Sequence, residues 1–411
     1  MNRLLLLLSV LSTMSGTALA SGRTDLLVTT DCGAIPSDGI DDFAEIQKCI
    51  DMASNSGGGV VYLPSGVYTI SATLKISASN VRMEGEGGST IIAHLDGDGT
   101  LIEINGPNGP PAERNGVYNL VLTRTADPKK ASVALKLAHA YFTVVDNVFI
   151  RRSDIGIDVG IENGKDPVED NFRTRISNSY ILGREGGVNL AGIIFRSAAD
   201  CIVENTFIEV GSLGVGVKMT DGSNGITVEH LLSLGGMYGV YLGGGGYARL
   251  IRSSIIESAS DAQIFIGEGT HEVSVISSWI GNGTGDDGGT IMRGLLVQPD
   301  AAHVIVLGNR FGNLPGHAID SLGSDISIDS NEFLDNGYNA KYGPHDSVLI
   351  EAGRNIRIRG NHFQASNDRC ALNVIGTTTR VIVSDNINDA SGLSWCNSGS
   401  GTPRIYRDNI P

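Results

Sequence analysis

The 411-residue chain is short of aromatic side chains, at 6%, holds five cysteines, and is short of positive charge, with 30 Lys and Arg against 45 Asp and Glu. Each shortage excludes something. A formal charge of −15 leaves no basic footprint for nucleic acid or an anionic membrane surface, and neither is expected as a partner. A polyanionic glycan is excluded less firmly, because a local basic strip can bind one on an acidic protein. No run after residue 20 is apolar enough to span a bilayer, so no membrane span is expected. There is no zinc-type spacing of His and Cys, no Gly-x-Ser-x-Gly elbow and no phosphate-cradling loop between strand and helix. No short motif names a reaction, and no metal ligands are assigned; acidic strips can hold Ca²⁺ through carboxylate oxygens, but no loop of defined spacing supports one.

The first twenty residues carry one positive charge, Arg3, then the apolar run Leu4 to Leu8 with Val10 and Leu11, and end in Ala18-Leu19-Ala20. This reads as a signal peptide cleaved after Ala20, which makes the protein secreted or periplasmic. Loss of Arg3 takes the formal charge from −15 to −16. An exported chain can oxidise its cysteines. Cys32 with Cys49 and Cys370 with Cys396 are the expected pairs, leaving Cys201 as a buried thiol.

Asp31 to Ala53 contains Asp42 with Glu45 three residues on, a capping-box pattern, and Phe43, Ile46, Ile50 and Ala53 at helical spacing. One amphipathic helix is predicted over about 41–53. Three glycines, Gly57 to Gly59, then lead into VVYLPSGVYTI, which reads as strand, tight turn, strand. This opening segment resembles that of the pectate-lyase-like, or tailspike-like, right-handed parallel β-helix superfamily. The resemblance implies an all-β solenoid whose open end is capped by the helix, since unpaired strand edges invite aggregation.

Internal repeats support that architecture. Segments of the form apolar-x-Asn-x-apolar place Asn119, Asn147, Asn178, Asn205, His230, Ser253, Ser277, Asn309, Asn331, Asn361 and Asn386 in one column with a mean spacing of about 27 residues. Two positions later stand Phe149, Tyr180, Phe207, Leu232, Ile255, Trp279, Phe311, Phe333 and Phe363, read as an apolar ladder inside the solenoid. The expectation is one domain over 21–411, with about ten to twelve coils between about 58 and 390 and a C-terminal tail. A second strand recurs as Gly156-Ile157-Asp158-Val159 and its equivalents, so Asp158, Ile194, Lys218, Tyr241 and Leu296 should point outward. Variable intervals place swollen loops at 162–171, 281–293 and 335–346. A homotrimer or a monomer fits such a solenoid.

Chemistry-bearing residues fall in two strips. One position before the Asn column lie Asp146, Ser177, Glu204, Glu229 and Arg252, and in-register stacking would put Glu204 over Glu229. Either this is a carboxylate pair for sugar chemistry, acid with base or nucleophile, or Arg252 screens two solvated glutamates. The second-strand face offers Asp154, Asp158, Arg196, Lys218 and Tyr241. A lyase acting on a uronic acid needs a base near the C5 proton and cations to neutralise the carboxylate, and Lys218 with Arg196 can supply the cations. The candidate catalytic residues are therefore Glu204, Glu229, Asp158 and Lys218, with Arg196, Tyr241 and Arg252 binding substrate.

Ser153 to Asp158 is similar to a segment of the polygalacturonases, and Tyr342-Gly343-Pro344-His345-Asp346 to a motif of the alginate C5-epimerases that it matches without the first acid. Where inulin fructotransferases carry two acids eleven residues apart, this chain has Arg252 and Gln263. The expected function is cleavage of a polysaccharide or oligosaccharide by hydrolysis or β-elimination in a groove on the solenoid face. Uronate C5-epimerisation, or glycan binding without catalysis, are the alternatives.

Overall fold

A computed structural model describes residues 24–409 except 96, 107–110, 129–130, 162–169, 184–189, 284–291, 339–344, 365–369, 390–393, 398–403 and 408. The expected signal peptide at 1–20, much of the three expected loops and most of the Tyr342 motif lie outside the described residues. The chain winds as a right-handed parallel β-helix. Its three faces are parallel sheets of 15, 13 and 13 strands, here sheets 1, 2 and 3, and every successive pairing joins one coil to the next.

Sequence alternation dictates the wall. In sheet 1, Val145, Ile176, Val203, Val228, Ile251 and Val275 occupy one register column with no exposed surface, while the residues on either side of each face outward. In sheet 3, Ile157 and Val159 are fully buried and Asp158 faces out, as the sequence predicts. The glycine that opens these strands has a packing reason. A Cβ at Gly192 would lie 2.4 Å from Ile208 Cγ2 and 2.8 Å from the Gly216 carbonyl oxygen, so the position must stay bare for the facing sheet's side chain and the next coil's backbone.

The corner between sheets 1 and 2 corrects the single Asn column. Asn119, Asn147, Asn178, Asn205, His230, Ser253 and Ser277 all have positive φ, between 46° and 55°, and turn the chain. In the following coils that turning position belongs to Gly308, Ser330, Gly360 and Asp385, whose φ values are 64°, 56°, 63° and 58°. Asn309, Asn331, Asn361 and Asn386 sit one residue later and are buried. There each amide oxygen accepts from the backbone N–H of the preceding coil: Asn331 Oδ1 from Asn309 at 2.8 Å, Asn361 Oδ1 from Asn331 at 2.9 Å, Asn386 Oδ1 from Asn361 at 2.9 Å. In the earlier coils Ser179, Ser254 and Ser278 fill this inner position.

A one-residue slip exchanges the two faces of a strand, so the expected inner apolar ladder also divides. Phe311, Phe333 and Phe363 do point inward, stacked at centroid separations of 5.2 and 4.7 Å. Phe149, Tyr180, Phe207, Leu232, Ile255 and Trp279 form an outward column on sheet 2 instead. The inner column beside them is Ile150, Ile181, Ile208, Ser233, Ile256 and Ile280.

The cap is a helix at Phe43–Asn55, with Ile46, Cys49, Ile50 and Ala53 closing the core. Gln47 satisfies the edge of sheet 3: its amide donates to the Lys75 carbonyl at 3.0 Å and accepts from the Lys75 N–H at 2.9 Å. The expected capping box does not form. The Asp42 carboxylate accepts from the Ile35 and Thr69 backbones, which ties the strap before the helix to the first coil. Cys32 is bonded to Cys49 and Cys370 to Cys396, and burial pushes the Cys201 thiol up to about 12.

The two kinds of corner asparagine respond differently to glycine. Asn178→Gly keeps a backbone that suits positive φ and should leave the denaturation midpoint almost unchanged. Asn331→Gly removes a buried ladder rung, orphans the Asn309 N–H, and should cost about 2–4 kcal/mol. Urea unfolding of both variants checks this, and equal losses would contradict the two-position corner.

Candidate functional site

The sequence-predicted residues divide between two faces. Glu204 and Glu229 stand in register on sheet 1, as expected. Their repulsion is relieved from both sides: Arg175 Nε donates to Glu204 at 2.6 Å and Arg252 Nε to Glu229 at 2.6 Å. The glutamate side chains are 15% and 17% exposed, so these are half-sheltered ion pairs on a flat face, with Arg252 engaged to its neighbour.

Asp158, Arg196, Lys218 and Tyr241 lie on sheet 3. Arg196 Nε donates to Asp158 at 2.8 Å, and both side chains are largely buried. Lys218 is two coils beyond Asp158, with buried Ile194 between them, and its Nζ lies 5.6 Å from the Tyr241 ring centroid. Tyr241 in turn stacks on Phe265 at 4.8 Å. Asp154 belongs to the corner rather than the face: it accepts from the Ser132 N–H and hydroxyl and lies near the buried Arg124, whose guanidinium donates to the carbonyls of Gly97, Gly99 and Val133. Burial draws the Arg124 guanidinium down to about 10, opposed by Asp154.

Following the Asp158 column toward the N-terminus reaches residues the sequence reading missed. Lys75, Glu103, Lys136 and Asp158 are consecutive rungs of one outward column. They line a cleft of about 590 Å³ together with Asn105 and His139. His139 occupies a positive-φ turn position directly after the Lys136 strand and lines the cleft beside the column. Opposite charges on successive rungs, roughly 4.8 Å apart, support one another where like charges would repel. A signal was present in the sequence: Leu74-Lys75-Ile76, Ile102-Glu103-Ile104 and Leu135-Lys136-Leu137 share the apolar-charged-apolar form of Ile157-Asp158-Val159. They escaped because these earlier coils lack the opening glycine.

Further along sheet 3 a second polar group forms. Arg293 donates to Asp320 at 2.7 Å and to Asp261 at 3.1 Å, and Tyr238 donates to Asp261 at 2.9 Å. Burial, then the neighbouring Asp320 carboxyl, pushes the Glu351 carboxyl up from its ordinary value. Among the described residues, no group of three or more His, Cys, Asp or Glu side chains is arranged to hold a metal ion.

Comparison with known proteins agrees with the β-helix fold. Residues 221–388 match the model of the right-handed β-helix region, and residues 28–102 match a pectate-lyase-like model described as rhamnogalacturonase A/epimerase. Among curated relatives, mannuronan C5-epimerase AlgE6 of Azotobacter vinelandii is 37% identical over 101 residues, which cover 22% of this chain and 12% of the relative. Alginate lyase 7 of the same organism is 37% identical over 112 residues, covering 25% and 13%. The chain therefore spans about an eighth of the length of these two relatives. Among solved structures, the AlgE6 A-module superposes with a TM-score of 0.68 at 18% identity, over 94% of this chain and 100% of that one. A DFA-IIIase from Arthrobacter chlorophenolicus gives 0.61 at 15% identity, over 92% and 98%. At such identities these two superpositions show the shared fold.

The raised Glu351 carboxyl has a measurable consequence. A folded state that binds this proton more tightly than the unfolded chain is favoured at acid pH. That contribution is complete below the ordinary glutamate value and is lost as pH rises through the raised value. Thermal melts across this window should show the wild type losing stability relative to Glu351→Gln as pH increases. Parallel pH profiles would contradict the assignment.

Proposed function

We propose that the protein is an exported enzyme that acts on a uronic-acid polysaccharide by removing the proton at C5 in the sheet 3 cleft. The observation that carries this is the alternation of Lys75, Glu103, Lys136 and Asp158 on consecutive rungs beside His139. The C5 hydrogen of a uronate is too weakly acidic to leave unless the adjacent carboxylate is neutralised. Lys75 and Lys136 are placed for that, two rungs apart with an acid between them. His139 takes the proton as general base, and the electron pair passes into the carboxylate, which the lysines hold as it gains charge. Asp158, fixed by Arg196, accepts from a sugar hydroxyl and sets the ring's position.

Two outcomes branch from that intermediate. Expulsion of the glycosidic oxygen at C4, which takes its proton from protonated His139 or from water, gives a C4–C5 double bond and a broken chain; return of a proton from water to the opposite face of C5, with His139 releasing its own to solvent, gives the epimer. Elimination is the leading reading and epimerisation the alternative. Support comes from matched relatives that are named as a mannuronan C5-epimerase and an alginate lyase. The ion-paired Glu204 and Glu229 offer a hydrolase pair on sheet 1, but both carboxylates are held by arginines, and neither lines the clefts of about 590, 810 and 410 Å³. Export is supported by the first twenty residues and by two disulfides.

Incubation of alginate and polygalacturonate in D₂O separates these outcomes. The expected result is deuterium at C5 or new unsaturated-uronate absorbance, reduced about 10²–10⁴-fold in His139→Ala. Comparable loss is expected in Lys136→Gln, with little effect of Glu204→Gln. New reducing ends without unsaturation, abolished by Glu204→Gln, would replace this reading with hydrolysis on sheet 1.

A further inference from the structure

The outward column of sheet 2 belongs to neither the core nor the cleft. From Phe149 to Trp279 it is apolar at every coil, and it continues toward the N-terminus through Val121, Ile91 and Val67. Tyr180 is 56% exposed and Ile255 44%. Ring centroids of Phe149, Tyr180 and Phe207 succeed one another at 6.3 and 5.9 Å. The stripe ends at Trp279, over which the Arg310 guanidinium sits at 5.4 Å, and the next rungs are the charged or polar Arg310, Glu332 and His362. A groove of about 810 Å³ runs beside its N-terminal half, walled by Arg151, Arg152, Asp127 and Glu209.

Sheet residues do not remain apolar on an outer face over nine coils for the sake of the core, which the inner isoleucine column already fills. Its shape identifies the occupant. The stripe is bordered on one side by the turn residues Asn119, Asn147 and Asn178, and on the other by a mixed column in which Thr123, Arg151, Glu209 and Glu257 are interrupted by Leu182 and Leu234. Nine strands at ~4.8 Å and one column of ~7 Å give on the order of 300 Å², well under the roughly 800 Å² per partner of a stable protein interface. A second copy of the chain is therefore poorly served. A narrow apolar track with polar groups interspersed along its borders and three rings on successive coils, Phe149, Tyr180 and Phe207, suits an extended sugar chain, whose rings have apolar faces and hydroxyl edges.

We infer that the outer face of sheet 2 is a second polysaccharide-binding site, separate from the sheet 3 cleft, on which successive sugar rings stack along Phe149, Tyr180 and Phe207. It works as a holding track for the long chain and performs no chemistry. The inference stands on sheet 2 alone and survives if the cleft reading fails.

Binding of long-chain alginate, polygalacturonate and a neutral β-glucan to the full chain, measured by isothermal titration, tests it. Tyr180→Ala/Phe207→Ala should weaken binding of at least one of these chains about ten-fold, the scale of two lost aromatic contacts. Lys136→Gln/Asp158→Asn should keep measurable affinity for that same chain, lost when the sheet 2 pair is added. Far-UV circular dichroism verifies folding, and Tyr180→Ser, at a position more than half exposed, gives the answer if the double variant misfolds. The inference is overturned if none of the three chains binds, if the sheet 2 variants bind as tightly as wild type, or if light scattering shows an oligomer that Tyr180→Ser dissociates.

Discussion

Parallel stacking in register is the constraint on which the rest of the structure depends. Each strand residue lies ~4.8 Å from the residues at the same position in the adjoining coils, so a side chain is favoured where it can neighbour its own kind or a complement. Isoleucine and valine satisfy this inside sheet 1. Amides satisfy it at the inner corner, where Asn309, Asn331, Asn361 and Asn386 serve the backbone of the previous coil in series. Glycine satisfies it at the start of sheet 3, where no Cβ fits. Charges satisfy it in two ways, by alternating down a column as Lys75, Glu103, Lys136 and Asp158 do and as Glu229 does with Arg252, or by recruiting a counter-ion from the neighbouring column, as Glu204 does with Arg175.

That constraint makes the fold legible in the sequence. Repeated columns reveal themselves by spacing, and the outward placement of Asp158, Ile194, Lys218 and Tyr241 and the stacking of Glu204 on Glu229 all come from the repeat. It also makes one error easy. Val145-Asp146-Asn147-Val148-Phe149 and Val306-Leu307-Gly308-Asn309-Arg310-Phe311 both contain Asn-x-Phe, yet the left-handed turn falls on Asn147 in the first and on Gly308 in the second. Backbone φ is not written in the letters, since asparagine, serine, histidine and glycine all turn this corner. The slip moved Phe149, Tyr180 and Phe207 from the surface to the interior.

The candidate site was half legible for a related reason. Reading by columns found Asp158 and Arg196 but began only where asparagine marked the repeat, at residue 119. Lys75 and Glu103 lie before that mark, and His139 enters the cleft from a turn rather than from a strand. Because the same scaffold carries unrelated chemistries, the site rather than the solenoid bears the functional reading. The two faces differ in what their charges surround: on sheet 1 they are spent on one another across a flat surface, while on sheet 3 they enclose an open volume.

A crystal structure of the Asp158→Asn protein soaked with a polyuronate oligosaccharide tests the central claim most directly. The account predicts density in the sheet 3 cleft, with a uronate carboxylate against Lys75 or Lys136 and C5 facing His139. Density lying across Glu204 and Glu229 on sheet 1, with the cleft left empty, would contradict it.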